Sequence, residues 1–196
     1  LGKEKNMPIY KLINGGQKKN FKAYASLFRY SDKNLVEKKC KESLDKGFKI
    51  IKLHEVINDT IEVARKYLGE KVPLMTDVNC AWTYEEVLEK KNFLKKMNLF
   101  WVEEPIFPPE DFKKLAKINN DLGIPLAAGE NACTHWEFEK MVDAKAVSFT
   151  QPSVIKVGGI SEMLKIIKLS EKKNLPVMPH TAYFGPGFLA SLHLAS

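Results

Sequence analysis

Short apolar runs rich in β-branched and aromatic residues recur along the chain, and polar stretches with helical periodicity separate them. Seven such runs begin at intervals of 21 to 30 residues. Their first residues are Phe21, Phe48, Pro73, Leu99, Pro125, Ala146 and Pro176. This alternation predicts seven parallel strands, each followed by a helix.

The stretches between the runs carry signals for helix ends. Thr83 stands before Glu85 and Glu86, as an N-cap residue would. Gly47 and Gly123 are placed where helices should end, just before a strand. The steady repeat favours a (β/α) barrel over an open doubly wound sheet, because no glycine-rich phosphate loop follows the first run. A complete barrel has eight strands, so we expect the last one to be absent here.

Three consecutive runs end in a carboxylate, at Asp77, Glu103 and Glu130. In a parallel barrel the carboxyl ends of the strands meet at one mouth, so we expect these side chains to converge. Crowded carboxylates repel one another unless a cation neutralises them. A set of oxygen ligands without Cys or His favours Mg²⁺, with Mn²⁺ as an alternative, over zinc. Pairing of these acids with nearby lysines is the purely structural alternative.

The other predicted strand ends are also polar. Lys52 and His54 end the second run on one face, because alternate residues of a strand point the same way. Ser153 and Lys156 follow the sixth run, and His180 follows the seventh. Carboxylates flanked by candidate bases suit the removal of a proton next to a carboxylate group, with a metal ion stabilising the enediolate.

Composition and charge narrow the classes of function. The net charge is +7, but the lysines recur in pairs mixed with glutamates along the predicted helices. This is typical of solvated helix faces and argues against nucleic-acid binding. No run approaches the ~18 apolar residues of a membrane span. Cys40, Cys80 and Cys133 have no disulfide or zinc spacing, so we expect a soluble cytoplasmic protein with reduced thiols.

The motifs KIIKLH, LMTDVN, WVEEP, AAGEN, VIKVGG and PHTA resemble, in order and spacing, the barrel domain of the enolase superfamily. The chain is most similar to the mandelate racemase subgroup of the mandelate racemase/muconate lactonizing enzyme family. The resemblance runs from about Tyr10 to Ser196. It implies a TIM-like (β/α)7β barrel, a small-molecule carboxylate substrate and a homo-oligomer.

The resemblance also implies roles for matching residues. Lys52 would contact the substrate carboxylate, and His180 would be the acid/base on the opposite face of the substrate. Asn79 and Asn131 would be polar neighbours that orient ligands or substrate. The ligands of Mg²⁺ would be Asp77, Glu103 and Glu130.

Two positions depart from the family pattern. The second strand of the family usually ends in Lys-x-Lys, whereas this chain has Lys-Leu-His at positions 52–54, so His54 is a candidate base. An aspartate usually accompanies the histidine of the seventh strand, but Ser153 holds that position, which makes His180 a weaker base. We expect Ser153 to contact substrate instead. Lys156 matches the base position of muconate lactonizing enzymes and is a further candidate.

The family barrel normally follows an α+β capping domain whose loops close over the barrel mouth. Residues 1–20 resemble only the tail of that domain, and residues 21–196 resemble the barrel without its eighth strand. Such a piece would leave a sheet edge and apolar surface uncovered. We therefore expect the chain to be truncated relative to the complete enzyme.

These features predict an enzyme that uses Mg²⁺ to remove the α-proton of a carboxylate substrate. Dehydration of an acid sugar, a lyase reaction, is the leading hypothesis. Racemisation or epimerisation of a 2-hydroxy acid or an amino acid derivative by two bases is the alternative. A non-catalytic fragment or metal-binding scaffold is the third hypothesis, because the residues at positions 54 and 153 differ from the family pattern.

Overall fold

Strands and helices alternate regularly in the computed structural model, which describes residues 1–13 and 20–196. The strands are β1 (Ala25–Ser26), β2 (Ile51–Leu53), β3 (Leu74–Asp77), β4 (Val102–Glu103), β5 (Leu126–Ala128) and β6 (Phe149–Thr150). The helices are α1 (Ile9–Leu12), α2 (Lys33–Asp45), α3 (Asn58–Leu68), α4 (Tyr84–Lys96), α5 (Phe112–Leu122), α6 (His135–Asp143), α7 (Ile160–Lys172) and α8 (Gly185–Ala195). Over the described ranges the six strands form one sheet in chain order, and the pairings from β1 to β5 are parallel.

The chain divides into two compact units. The first, here called the sheet unit, consists of residues 23–128 and 140–149. The second, here called the terminal unit, consists of residues 1–22, 129–139 and 150–196. The boundary predicted between residues 20 and 21 follows positions 14–19, which lie outside the described residues, and it stays a prediction.

The core of the sheet unit explains the long apolar runs of the sequence. A parallel sheet is buried on both faces, so its strands are apolar along their whole length rather than at alternate positions. Ile51, Leu74, Val102 and Leu126 are fully buried on four neighbouring strands. The covering helices contribute one apolar face each, with buried residues that include Val36, Ile61, Ala64, Val87, Leu94, Leu115 and Ile118.

The predicted helix ends are present. Thr83 accepts a hydrogen bond from the backbone N–H of Glu86, whose side chain in turn accepts one from the N–H of Thr83, which makes a capping box. Gly123 ends α5 in the left-handed conformation, and Gly47, with φ of +90°, follows the end of α2. Both glycines turn the chain toward the next strand.

The seventh apolar run is reduced to a single bridge between Thr150 and Val177. The N–H of Thr150 donates to Pro176 O, and the carbonyl oxygen of Thr150 accepts the N–H of Met178. A short parallel ladder therefore begins here. Pro152, two residues after Thr150, has no N–H to continue that ladder. The prediction of a full seventh strand was therefore too long. Among the helices of the described ranges, none has both the length and the apolar character needed to cross a membrane.

Candidate metal and acid–base site

The ends of β2, β3 and β4 bring a lysine and two acids together in the sheet unit. Asp77 and Glu103 are register partners across β3 and β4. Lys52, on β2, donates from Nζ to Asp77 Oδ2 at 2.9 Å and to Glu103 Oε1 at 2.6 Å. The three side chains are 4%, 1% and 1% exposed in the order Lys52, Asp77 and Glu103. The predicted convergence of strand ends is thus observed for these two acids.

A second donor orients the other oxygen of each carboxylate. The backbone N–H of Asn79 donates to Asp77 Oδ1 at 3.0 Å. The indole Nε1–H of Trp101 donates to Glu103 Oε2 at 2.9 Å. The two carboxylates therefore have fixed planes, and each turns one oxygen toward Lys52.

Sequence reasoning missed two aromatic residues beside this cluster. Trp101 stands two residues before Glu103 and therefore on the same face of its strand, a spacing that could have revealed it. Tyr24 lies just before β1, and Lys52 Nζ is 5.9 Å from the centre of its ring. The Tyr24 and Trp101 rings meet edge to face with centroids 6.0 Å apart. Two aromatic rings thus shield the ammonium and the acids from water.

His54 follows β2 at the edge of the same cluster. Its Nε2 lies 3.2 Å from Asp77 Oδ2, and its Nδ1 contacts Leu27 O. Burial lowers the pKa of the imidazole, but the hydrogen bond and charge of Asp77, with the Leu27 contact, raise it overall. About a quarter of the side chain is exposed. His54 is therefore an accessible acid–base group in direct contact with one acid.

Burial and charge act in opposite directions on the three buried groups. Burial raises the pKa of Glu103, and the charge of Asp77 adds to the rise, although Lys52 opposes it. Burial favours the neutral form of Asp77 too, but the His54 hydrogen bond and Lys52 outweigh it and lower the pKa of Asp77. Burial would lower the pKa of Lys52, yet the two carboxylates raise it. When both acids are ionised, Lys52 neutralises only one of their two charges.

The terminal unit holds a second pair of predicted site residues. Glu130 follows β5 by two residues, and its Oε2 lies 2.8 Å from His180 Nε2. The hydroxyl of Ser153 donates to Tyr183 Oη at 3.4 Å, and Tyr183 Oη donates to His180 O at 2.9 Å. Within the described ranges, His180 Nδ1 is buried without a hydrogen-bond partner. The carboxylate beside His180 thus comes from Glu130, and Ser153 contacts a tyrosine.

Gly129 makes the turn that leads into Glu130 possible. Its φ of +140° is unfavourable for any residue with a Cβ. A Cβ at this position would also lie 2.8 Å from the Phe138 ring and 3.0 Å from the backbone of Gln151. Only glycine fits this close approach, so the backbone before Glu130 is fixed in one conformation.

The remaining predicted residues are exposed. Asn79 lies in the left-handed region with φ of +48°. Asn131 is in the turn between β5 and α6, and Lys156 is in the turn between β6 and α7. Lys156 is thus solvent-accessible on a turn of the terminal unit.

A cavity of about 380 Å³ lies at the opposite ends of the strands of the sheet unit. Its lining includes Pro73, Phe100, Pro125 and Phe149, which stand at or just before the first residues of β3 to β6. None of the predicted site residues lines it. Chemistry in a parallel α/β barrel is carried by the carboxyl ends of the strands, so this cavity is separate from the acid–base cluster.

The residues present fit a hard divalent cation. Asp77 and Glu103 offer carboxylate oxygens 4.8 Å apart or less, which are the ligands that Mg²⁺ prefers. When both acids are ionised, the one negative charge that Lys52 leaves unmatched is buried, where a nearby cation is most favourable. A parallel α/β domain with acids, a lysine and a histidine at the carboxyl ends of its strands defines the class of TIM-barrel-like domains with an acid–base site.

The chain belongs to the enolase C-terminal domain-like family, whose model matches residues 35–196. It is 35% identical to arabinonate dehydratase of Saccharolobus solfataricus, over all of this chain and 54% of that protein. It is 34% identical to L-talarate/galactarate dehydratase of Salmonella typhimurium, over 62% of this chain and 30% of that protein. These relatives and others belong to the mandelate racemase/muconate lactonizing enzyme branch of the enolase superfamily.

The fold of this family is shared with solved structures. A racemase from Streptomyces coelicolor A3(2), solved with bound magnesium, superposes with a TM-score of 0.82 at 28% identity. The match covers 89% of this chain and 54% of that one. The present chain spans about half the length of arabinonate dehydratase, which it matches along all of its own residues. The relatives' names are those of enzymes: dehydratases, cycloisomerases and epimerases.

Proposed function

We propose that the complete protein is an Mg²⁺-dependent enzyme that removes the α-proton of a carboxylate substrate and dehydrates an acid sugar. The observation that carries this proposal is the buried Asp77–Glu103 pair on adjacent strands, bridged by Lys52. Burying two acids with one ammonium is unfavourable for stability alone, which indicates that the arrangement serves binding.

The proposed ligands of the ion are Asp77, Glu103 and Glu130. The first two end β3 and β4, and Glu130 follows the end of the next strand by two residues. Their separation along the chain matches the strand repeat, which supports a common task. When bound, Mg²⁺ would stabilise the negative charge that develops on the substrate carboxylate as the α-proton leaves.

The chain's own residues supply the proton transfers in this proposal. His54 Nε2 takes the α-proton, since its ring is partly exposed and is held in place by Leu27 O. His180 Nε2, fixed by Glu130, protonates the hydroxyl that leaves the neighbouring carbon. Lys52 provides positive charge for the substrate carboxylate. Ser153, Asn79 and Asn131 remain candidate substrate contacts.

The names of the relatives favour dehydration. Both curated relatives described above are dehydratases, and their names specify sugar-acid substrates. The enol that forms after loss of water converts to a 2-keto acid. A sugar acid with a hydroxyl on the carbon next to the α-carbon is therefore the proposed substrate class.

Racemisation is the second candidate, and the likeness to a racemase supports it. It requires a base on each face of the substrate. His54 and His180 are the first pair to consider, and His54 with the exposed Lys156 is the second. A cytoplasmic homo-oligomer acting on a small-molecule carboxylate is the proposed setting for either reaction.

The decisive experiment incubates the full-length enzyme and Mg²⁺ with a panel of sugar acids in deuterated water. A dehydratase yields a 2-keto product, whereas a racemase returns substrate with deuterium at the α-carbon. Glu103→Gln should abolish turnover, and the control Glu162→Gln, at a partly exposed site, should retain it. Turnover by Glu103→Gln would refute the metal assignment. Mg²⁺ binding without turnover or exchange on any substrate would favour the non-catalytic scaffold.

A further inference from the structure

Arg29 links the ends of two strands in the sheet unit. It lies in the segment between β1 and α2. Its Nε donates to His54 O at 2.8 Å, after the end of β2. Its Nη2 donates to Val78 O and to Asn79 Oδ1, both at 3.1 Å, after the end of β3. One guanidinium therefore binds both the backbone of His54 and the residues that follow Asp77.

Glu55 holds the segment that carries Arg29. Its Oε1 accepts hydrogen bonds from the backbone N–H groups of Tyr30 at 2.8 Å and Ser31 at 3.2 Å. Ser31 has a φ of +55°, a conformation that needs such support. Glu55 is completely buried, and Thr76 Oγ1 donates to its backbone O at 2.9 Å. A buried carboxylate is costly, so its use here as an acceptor for two loop amides fixes the loop firmly.

These contacts converge on two groups of the candidate site. Arg29 holds the backbone O of His54, while Leu27 O holds the ring from the other side. Arg29 also holds the Asn79 side chain, and the Asn79 N–H holds Asp77 Oδ1. A shift of Arg29 would therefore move a proposed base and a proposed metal ligand together.

We propose that Arg29 is a positioning residue that sets the mutual placement of His54 and Asp77, with Glu55 anchoring its segment. The expected effect of Arg29 on catalysis rests on the proposed function. Its effect on the placement of His54 and Asp77 rests on the hydrogen-bond geometry alone. Arg29 is exposed, so its bonds add little to global stability. Misplacement of a catalytic group by about 1 Å can cost roughly 100-fold in rate. Losing Arg29 should therefore reduce activity far more than it reduces stability.

The test compares Arg29→Met and Arg29→Lys with Lys33→Met, all in the full-length enzyme. Lys33 is in the neighbouring helix α2 and is an exposed partner of Asp59, which makes it a matched control for loss of a cation. Arg29→Met should lower kcat by roughly 10- to 100-fold with a small change in KM. Arg29→Lys should recover only part of the loss, because an ammonium cannot reproduce the planar fork. Added methylguanidinium should restore activity to Arg29→Met.

A readout without metal or substrate separates this inference from the proposed function. Amide hydrogen exchange at residues 78–80 and the side-chain nitrogen NMR signals of His54 should change in Arg29→Met and stay as in the parent protein in Lys33→Met. If no substrate turns over but these signals change, the proposed function fails and the positioning role stands. Unchanged signals together with parental kcat and Mg²⁺ affinity in Arg29→Met would overturn the inference. A loss of the folded state in both Arg29 variants would overturn it too, because Arg29 would then be a general stability residue.

Discussion

Cys40 and Cys133 differ in burial, and their thiols should therefore differ in reactivity. Cys40 is fully buried in α2, and burial raises the pKa of its thiol to about 12. Cys133 is exposed between β5 and α6. Because the thiolate is the reactive form, a disulfide reagent such as DTNB should label Cys133 rapidly and Cys40 only after unfolding. Cys133→Ser should remove the fast phase and Cys40→Ser should not; fast labelling of Cys40 would contradict its placement.

Trp101 offers a direct probe of the acid pair. Trp101→Phe removes the N–H donated to Glu103 Oε2 but keeps most of the apolar contact. Since a hydrogen bond to a charged group is worth about 1.5–3 kcal/mol, urea unfolding should show a loss of about that size. Calorimetric titration should show weaker Mg²⁺ binding as well. Trp82→Phe is the matched control, because Trp82 is also a buried tryptophan but has Lys90 over its ring. Unchanged Mg²⁺ affinity in Trp101→Phe would show that the indole makes no contribution to metal binding.

The roles of some of these residues could be predicted from the sequence, and the roles of others could not. Asp77 and Glu103 end their strands in a parallel repeat, so their adjacency follows from the register of the sheet alone. The strand spacing places Trp101 on the same face as Glu103, but its hydrogen bond depends on where the indole N–H points, and the role of Arg29 depends on where its guanidinium points. The fork of Arg29 reaches positions 25 and 50 residues away, which no local pattern encodes.

Arg65 of α3 ties together the connections at the far ends of β3 and β4. Its guanidinium donates to four backbone oxygens, at Gly69, Val72, Met97 and Asn98, with distances of 2.7–2.9 Å. Arg65→Met would leave these buried or part-buried acceptors without their donor. Since an unsatisfied buried group costs about 1–3 kcal/mol, the free energy of unfolding should fall by roughly 3–5 kcal/mol.

Lys66→Met is the control for that substitution, because Lys66 is the exposed neighbour of Arg65 on the same helix. It should change the free energy of unfolding by less than about 0.5 kcal/mol. Both variants can be measured by urea denaturation followed by circular dichroism. Equal losses in the two variants would mean that the four carbonyl bonds contribute nothing.

The strand–helix order was predictable because apolar runs and capping residues repeat at a steady interval. Thr83 and Gly123 marked helix ends that the structure contains. Strand lengths were less predictable, since β1, β4 and β6 are only two residues long. Their hydrogen bonding depends on the course of neighbouring strands. The run at Pro176 looked equivalent to the others, but Pro152 on the facing segment has no N–H to donate to it, which limits the pairing to one bridge.

Magnesium should stabilise the full-length protein, and the effect should depend on pH. At about 100 times Kd a ligand that binds only the native state adds about 2.7 kcal/mol to stability. Burial raises the pKa of Glu103, so protons compete with the metal ion at a higher pH than for an ordinary glutamate. The rise in Tm with Mg²⁺ should therefore shrink as the pH falls. Differential scanning calorimetry at several pH values checks this.

Glu103→Gln should show no magnesium-dependent rise in Tm at any pH, whereas Glu162→Gln should behave like the parent protein. Glu162 is paired with His135 and Lys165 in the terminal unit, which makes it a fair control for loss of one carboxylate. A parental response in Glu103→Gln would show that the ion binds elsewhere.

The ammonium of Lys52, seated between Asp77 and Glu103, acts as a built-in counter-ion. Folding of the sheet therefore need not wait for a metal, in contrast to small domains that stay unstructured until their ion arrives. A chelator should abolish the activity of such a protein while leaving its native conformation intact. Adding the ion back should restore the activity without any refolding step. Metal supply would then control activity directly, and it would affect the folded population only through the added stability of the bound form.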